Sequence, residues 1–167
     1  MPKMKEPREL LVHELGDLLY AERRFLTATR KLTRETNNPE VKRRIERHVE
    51  ETETQIQRLE RAFESIGERA KAEKCEAAIG LREEHDSFKT EEKPSPELLE
   101  AFDLGSGLRV EHYEIAGYRS AIAVATALGE TECADILRES LAEEEDMAAF
   151  LEKSAPAALR KLFAQPA

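Results

Sequence analysis

Four stretches of this chain carry apolar residues at alternating steps of three and four, and each stripe is interrupted by an acid. From residue 11 the steps run Leu11, Leu15, Leu18, Phe25, Leu32, and the position in step between Leu18 and Phe25 is Glu22. Steps of three and four mark one face of an α-helix, so Glu22 is placed where the core requires an apolar group. A second stripe, Val41, Ile45, His48, Thr52, Ile56, Leu59, Phe63, has Glu51 at its edge. In a third, the run RVEHYEIAGYRSA sets Glu111, His112 and Glu114 among Leu108, Ile115, Tyr118 and Ile122. The fourth, Ala134, Leu137, Leu141, Ala148, Leu151, has Glu144 in its missing position. Such a chain can fold only as helices that bury these stripes against one another and neutralise the acids they carry.

The punctuation between stripes orders the helices. The run TNNPE at 36–40 closes the first, with Asn38 and Pro39 suited to cap and open the second, which ends near Gly67. A link this short makes the pair an antiparallel hairpin spanning 8–67. Residues 68–97 have a weaker helical pattern and then the charged, proline-containing KTEEKPSPE, as expected of a crossover with its own short helix. Ser95 and Pro96 open the third long helix, where Gly105 and Gly107 leave room for a bend or a close helix contact. Gly129 closes it, and APAAL after Ser154 is expected to end the fourth before a short tail. Hairpin, long crossover and hairpin over 98–153 make one all-α domain, the ferritin-like form of the four-helix bundle. With 167 residues there is material for one core, and 37% charged residues, seven glycines and no Trp suit long amphipathic helices.

Composition also excludes functions. A net charge of -9, with both signs interspersed, argues against nucleic acid as a partner, and the basic run KRRIERH at 42–48 reads as a solvated face. The N-terminal MPKMKEPREL lacks the apolar segment of a signal peptide and nothing is apolar enough to span a membrane, so a cytoplasmic protein is expected. Cys75 and Cys133 are too few and too far apart for a disulfide framework or a cysteine zinc site, and both are expected to be packed thiols. His13, His85 and the acid run EEED suggest no function.

An unpaired buried carboxylate costs several kcal/mol, so an acid in each of four helices requires a compensating positive charge. A pair of divalent metal ions supplies it. His48 with Glu51, and Glu111 with Glu114, are three residues apart and so share helix faces. Near mid-bundle they would converge with Glu22 and Glu144 into an oxygen-rich site with one imidazole, suited to iron or manganese.

The stretches LGDLLYAERRFL, HVEETETQIQRLE, VEHYEIAGY and LAEEEDMAAFL resemble, in this order and spacing, the YciE/YciF-type family of ferritin-like bacterial stress proteins, from about residue 8 to 153. The resemblance implies a ferritin-like domain with a dinuclear metal centre, usually assumed to be di-iron, in a homodimer linked to stress responses. Carried over, the family's inward acids fall on Glu22, Glu51, Glu111, Glu114 and Glu144, with His48 beside them. The Glu-x-x-His pairs of better-studied ferritins are absent, since Thr54 follows Glu51 and Met147 follows Glu144 at that offset. His48 ahead of Glu51 offers one nitrogen in reversed order.

The leading expectation is an oxidoreductase of the ferroxidase or peroxidase type, reacting with dioxygen or peroxide to oxidise ferrous iron or remove peroxide. Glu51 and Glu114 would bridge two metals and Glu22 and Glu144 would bind one each, with Tyr118 as a hydrogen-bond or electron donor and His112 in support. The alternative is a structural or interaction bundle whose inward acids are protonated or paired with Arg109, Arg119 or Arg138. An iron-storage cage has no support in the sequence.

Overall fold

The computed structural model describes residues 4–36 and 38–164. Among the described residues five α-helices follow one another: α1 (Pro7–Glu35), α2 (Pro39–Ser65), α3 (Glu76–Ser87), α4 (Pro96–Leu128) and α5 (Thr131–Phe163), with a π-helical turn at Phe88–Glu92 after α3. Among the described residues none of these is long and apolar enough to cross a membrane.

Helix boundaries follow the capping chemistry. The Asn38 side chain accepts from the amides of Glu40 and Val41 at 2.9 and 3.3 Å, satisfying donors that have no partner within α2. Asn37, in the same expected turn, lies outside the described residues. The Ser95 hydroxyl accepts from Leu98 N at the start of α4, and Gly129 closes α4 at φ 77°, a left-handed conformation that glycine adopts without penalty. At the other end of the chain the expectation fails, because α5 continues through Pro156 to Phe163. A proline forfeits one backbone hydrogen bond. Here Ala155 and Ala158 on either side pack against the core and hold the helix together.

Helix α1 packs on α2 and α4, and α5 packs on the same two, so the four long helices form a ring with α1 diagonal to α5. The crossover runs the length of the ring on the α1/α4 side. Glu73 N donates to Gly16 O at 2.9 Å, Cys75 meets Tyr113, and His85 reaches Asp103. Gly16 is where the crossover touches α1: a Cβ there would lie 2.8 Å from Lys71 O. Close helix contact in α4 falls at Gly117, where a Cβ would lie 2.9 Å from Leu18 Cδ2, and at Gly107, 3.4 Å from Leu151 Cδ1; around Gly105 there is open space. Gly16→Ala is expected to destabilise the protein by about 1–3 kcal/mol in urea unfolding, although alanine favours a helix, because the obstructing atom is backbone. An unchanged midpoint would mean that the crossover shifts at no cost.

Two main apolar clusters line the ring. One gathers Leu11, Leu15, Leu18, Leu59, Phe63, Tyr118 and Leu137 toward one end, and the other gathers Val41, Ile45, Leu104, Met147 and Leu151 toward the opposite end. Between them in every long helix lies a polar residue, so the interrupted stripes become one polar layer across the middle of the bundle. The α2 stripe differs from expectation in one position, since Gln55 is fully buried and Ile56 is only partly so. Both fit the spacing between Thr52 and Leu59, and apolarity alone favours the wrong one.

Candidate metal centre

Each inward acid is buried because its helix has no alternative orientation that still buries its leucines. Glu22, on α1 between Leu18 and Phe25, is 1% exposed, and Glu144, on α5 between Leu137 and Leu151, is fully buried. From α4 come Glu111 and Glu114, and from α2 comes His48, all equally enclosed. His48 Nε2 lies 3.5 Å from Glu111 Oε1 and 3.9 Å from Glu144 Oε2. One ligand atom each from His48, Glu111 and Glu144 falls within 4.8 Å of the other two, a group able to hold a metal ion.

The remaining predicted residues surround this group. Tyr118 is buried and its phenol donates to Glu22 Oε1. Glu51 lies behind His48: its Oε2 is 3.3 Å from His48 Nδ1 and accepts from Arg44 at 2.9 Å, while Oε1 meets Arg47 at 2.7 Å. A carboxylate on Nδ1 fixes the imidazole with Nε2 directed at Glu111 and Glu144. His112 is not a supporting residue. One position on from Glu111 is about 100° around the helix, and its ring is exposed, 3.2 Å from Glu152 on the outer surface.

The arginines do not serve as expected either. Arg109, Arg119 and Arg138 pair with Glu84, Glu145 and Asp135 outside the bundle and leave the inward acids alone. The basic run at 42–48 is not wholly solvated, since the Arg44 side chain is only 10% exposed and ties Glu51 to Asp146.

Several participants escaped the sequence reading. Gln55 donates to Glu143 at 3.0 Å, and Arg58 grips the same carboxylate through two nitrogens at 2.7 and 2.9 Å. Tyr113 donates to Asp17 at 2.6 Å with Cys75 Sγ 2.8 Å away. Cys75 and Cys133 are free, buried thiols, as expected. The available signal for Gln55 was its spacing from Leu59; for Tyr113 there was none, because its partners come from other helices.

Electrostatics show how unfavourable the layer is by itself. Burial pushes Glu22 up to about 7, against the opposing hydrogen bond from Tyr118 and the charge of His48. Glu114 and Glu144 are raised well above the usual carboxylate range, first by burial and then by neighbouring acids. Burial works against charge on His48 too, but Glu111, Glu51 and Glu144 outweigh it and raise its proton affinity well above normal. Glu51, held by His48 and Arg44, falls to about 2 in spite of its burial.

The residues fit a metal by their unmet demand. Glu22 Oε2, Glu111 Oε2, Glu114 Oε1 and both oxygens of Glu144 are buried without a hydrogen-bond partner among the described residues. Buried polar atoms are paired as a rule, and five orphaned carboxylate oxygens beside one imidazole are a donor set for hard or borderline divalent cations.

Comparison with known proteins agrees in fold and in sequence. Residues 6–164 match a family described as a domain of unknown function, DUF892. The Escherichia coli protein YciF is 35% identical over 142 residues, covering 84% of this chain and 85% of its own. The crystal structure of YciF, described as a stress protein, superposes with a TM-score of 0.86 at 33% identity over 95% of this chain and 99% of that one. YcfI from Rhodopseudomonas palustris, for which a structural role is suggested, superposes with a TM-score of 0.85 at 32% identity, over 90% of this chain and 95% of the other. The match spans both hairpins and every helix of the polar layer: the chain resembles YciF along nearly its whole length and belongs to the DUF892 family.

Proposed function

We propose that this protein binds two divalent metal ions, iron in the first instance, in its carboxylate layer and uses them to react with dioxygen or peroxide, oxidising ferrous iron or removing peroxide under stress. What carries the reading is the set of five buried carboxylate oxygens without partners, contributed by α1, α4 and α5 around His48. His48, Glu111 and Glu144 would hold one ion, and Glu22 and Glu114 would serve the other. Iron bound there would supply redox chemistry at a site whose ligands are themselves buried between the two apolar clusters.

The chain's own residues prepare the layer for this. Glu51 keeps His48 Nδ1 engaged and Nε2 turned inward. Tyr118 holds one Glu22 oxygen and leaves the other available. Glu143, neutralised by Arg58 and accepting from Gln55, stands beside the layer without joining it. Manganese satisfies the same donors, and the assembly is taken to be a cytoplasmic homodimer.

A second reading, a bundle that stays metal-free and serves a structural or interaction role, is favoured by one observation: Glu22, Glu114 and Glu144 hold protons readily where they are. Metal analysis after anaerobic ferrous loading separates the two. About two ions per chain are expected, while fewer than about 0.3 would leave the structural reading standing. Mixing the loaded protein with dioxygen and with peroxide, followed optically, then identifies the oxidant, and light scattering is expected to give the mass of two chains.

A further inference from the structure

Beside the carboxylate layer the bundle is not filled. A cavity of about 190 Å³ lies between α1, α2, α4 and α5 under the crossover helix α3. Phe25, Leu32, Ile45, Leu104, Val110 and Met147 wall it, and His48 and Glu111 form its inner end. Its outer end reaches Lys31, Glu35 and Pro96, which are exposed. Protein interiors are close-packed, and a void of this size sacrifices contacts on every wall, so a bundle that fills its other half with leucine has left this space open at a cost.

The walls select the occupant. Most charged groups near the mouth are already paired, His85 with Asp103 at 2.8 Å, Glu35 with Lys89 at 2.9 Å and Arg82 with Asp86 at 2.8 Å. Lys31 and Glu100 also line the cavity, but Lys31 is exposed at the outer end, and a ligand whose charge met it there would gain nothing from the aliphatic walls further in. An apolar cavity of about 150 Å³ is known to stay dry and accept benzene, so this one has room for a single ring with a small substituent. Its volume is below that of pockets for larger ligands.

We propose that this cavity is a binding site for a small, uncharged, apolar molecule, at most a one-ring aromatic, seated with its inner end against His48 and Glu111. The binding needs no metal; only the use of such a molecule as a co-substrate rests on the function proposed above. The site therefore places an organic molecule, in addition to dioxygen or peroxide, within reach of the carboxylate layer.

Fluorobenzene titrated into the metal-free, full-length protein tests this by ¹⁹F NMR. A saturable shift of the ring signal is expected, with proton cross-peaks from the ring to the Met147 and Val110 methyls. Ala28 lines the cavity, and Ala28→Phe is expected to weaken binding at least about tenfold while circular dichroism stays helical. The idea is overturned by an absence of saturation, by equal affinity in a folded Ala28→Phe variant, or by cross-peaks only to exposed Leu98 or Met4. Should Ala28→Phe fail to fold, the wild-type cross-peaks decide alone. Probe binding in a protein that takes up no iron would sink the metal reading and keep this one; iron uptake without probe binding would do the reverse.

Discussion

Glu144→Leu is expected to make the metal-free protein harder to unfold, by about 1–4 kcal/mol, and at the same time to abolish its response to metal. Both Glu144 oxygens are buried without partners, and burial and the acids around it hold its proton affinity far above normal. Leucine has similar volume, extends the apolar contacts of Leu137 and Leu151, and removes one carboxyl from a crowded layer. His48 keeps Glu111 at 3.5 Å and Glu51 at 3.3 Å as neighbours, so the imidazole is not orphaned. In the wild type, ferrous or manganous ions should raise the unfolding temperature, because they bind the folded chain only. In the variant that increment disappears. A variant that loses about 3 kcal/mol or more instead would mean that Glu144 serves in a satisfied network in the metal-free protein. Urea midpoints with chelator and thermal melts with and without metal give both numbers.

The second large effect is on pH. With chelator present, stability is expected to fall as the pH rises from about 4.5 to 8, contrary to the usual carboxylate behaviour. Glu22 gives up its proton near its ordinary value of 4.5 in the unfolded chain but at about 7 in the folded one. Below 4.5 both states hold the proton and the folded state bears no penalty. Between these values only the unfolded chain ionises, so unfolding becomes easier, and above 7 the loss is complete, roughly 3 kcal/mol from this group. Glu114 and Glu144 act in the same direction. So does His48, whose raised proton affinity stabilises the folded state at low pH and ceases to as the pH passes its folded value. Glu51 has the opposite sign: its contribution is present above 4.5 and fades as the pH falls toward 2. Metal-free stability should therefore be greatest near pH 4.5 to 5 as far as these groups decide it. Divalent ions bind the deprotonated acids, so their addition should flatten or reverse the fall. A urea midpoint that rises between pH 5 and 8 under chelator would contradict the raised proton affinities of the layer.

These predictions stand on residues of unequal legibility. Glu22 and Glu144 were legible because each replaces an apolar residue in the middle of a stripe, and a helix cannot expose one stripe position while burying those on both sides. His48, Glu111 and Glu114 follow from the same periodicity together with three-residue spacing. Glu51 is expected from the sequence to bridge the metals, yet its carboxylate turns to Arg44 and Arg47; Arg47, four residues earlier, is a partner that helical spacing does offer, and spacing alone does not say which partner wins. His112 shows the limit of proximity in sequence: adjacent helical residues diverge by about 100°, and it faces outward. Pro156 shows the limit of local punctuation, since packing on both sides carried α5 through it.

Periodicity and capping are local properties, repeated every few residues, and from them alone the sequence determined four long helices, two hairpins with a crossover, and an acid in the core-facing stripe of each long helix or at its edge. What lies across from a given side chain depends on the rotation and offset of neighbouring helices, which packing sets and no single stripe encodes. Only the tertiary structure therefore decided that Glu111 and Glu144 meet at His48 Nε2, that Glu51 stands behind the ring, that Tyr118 donates to Glu22, and that an unfilled apolar cavity ends at His48 and Glu111.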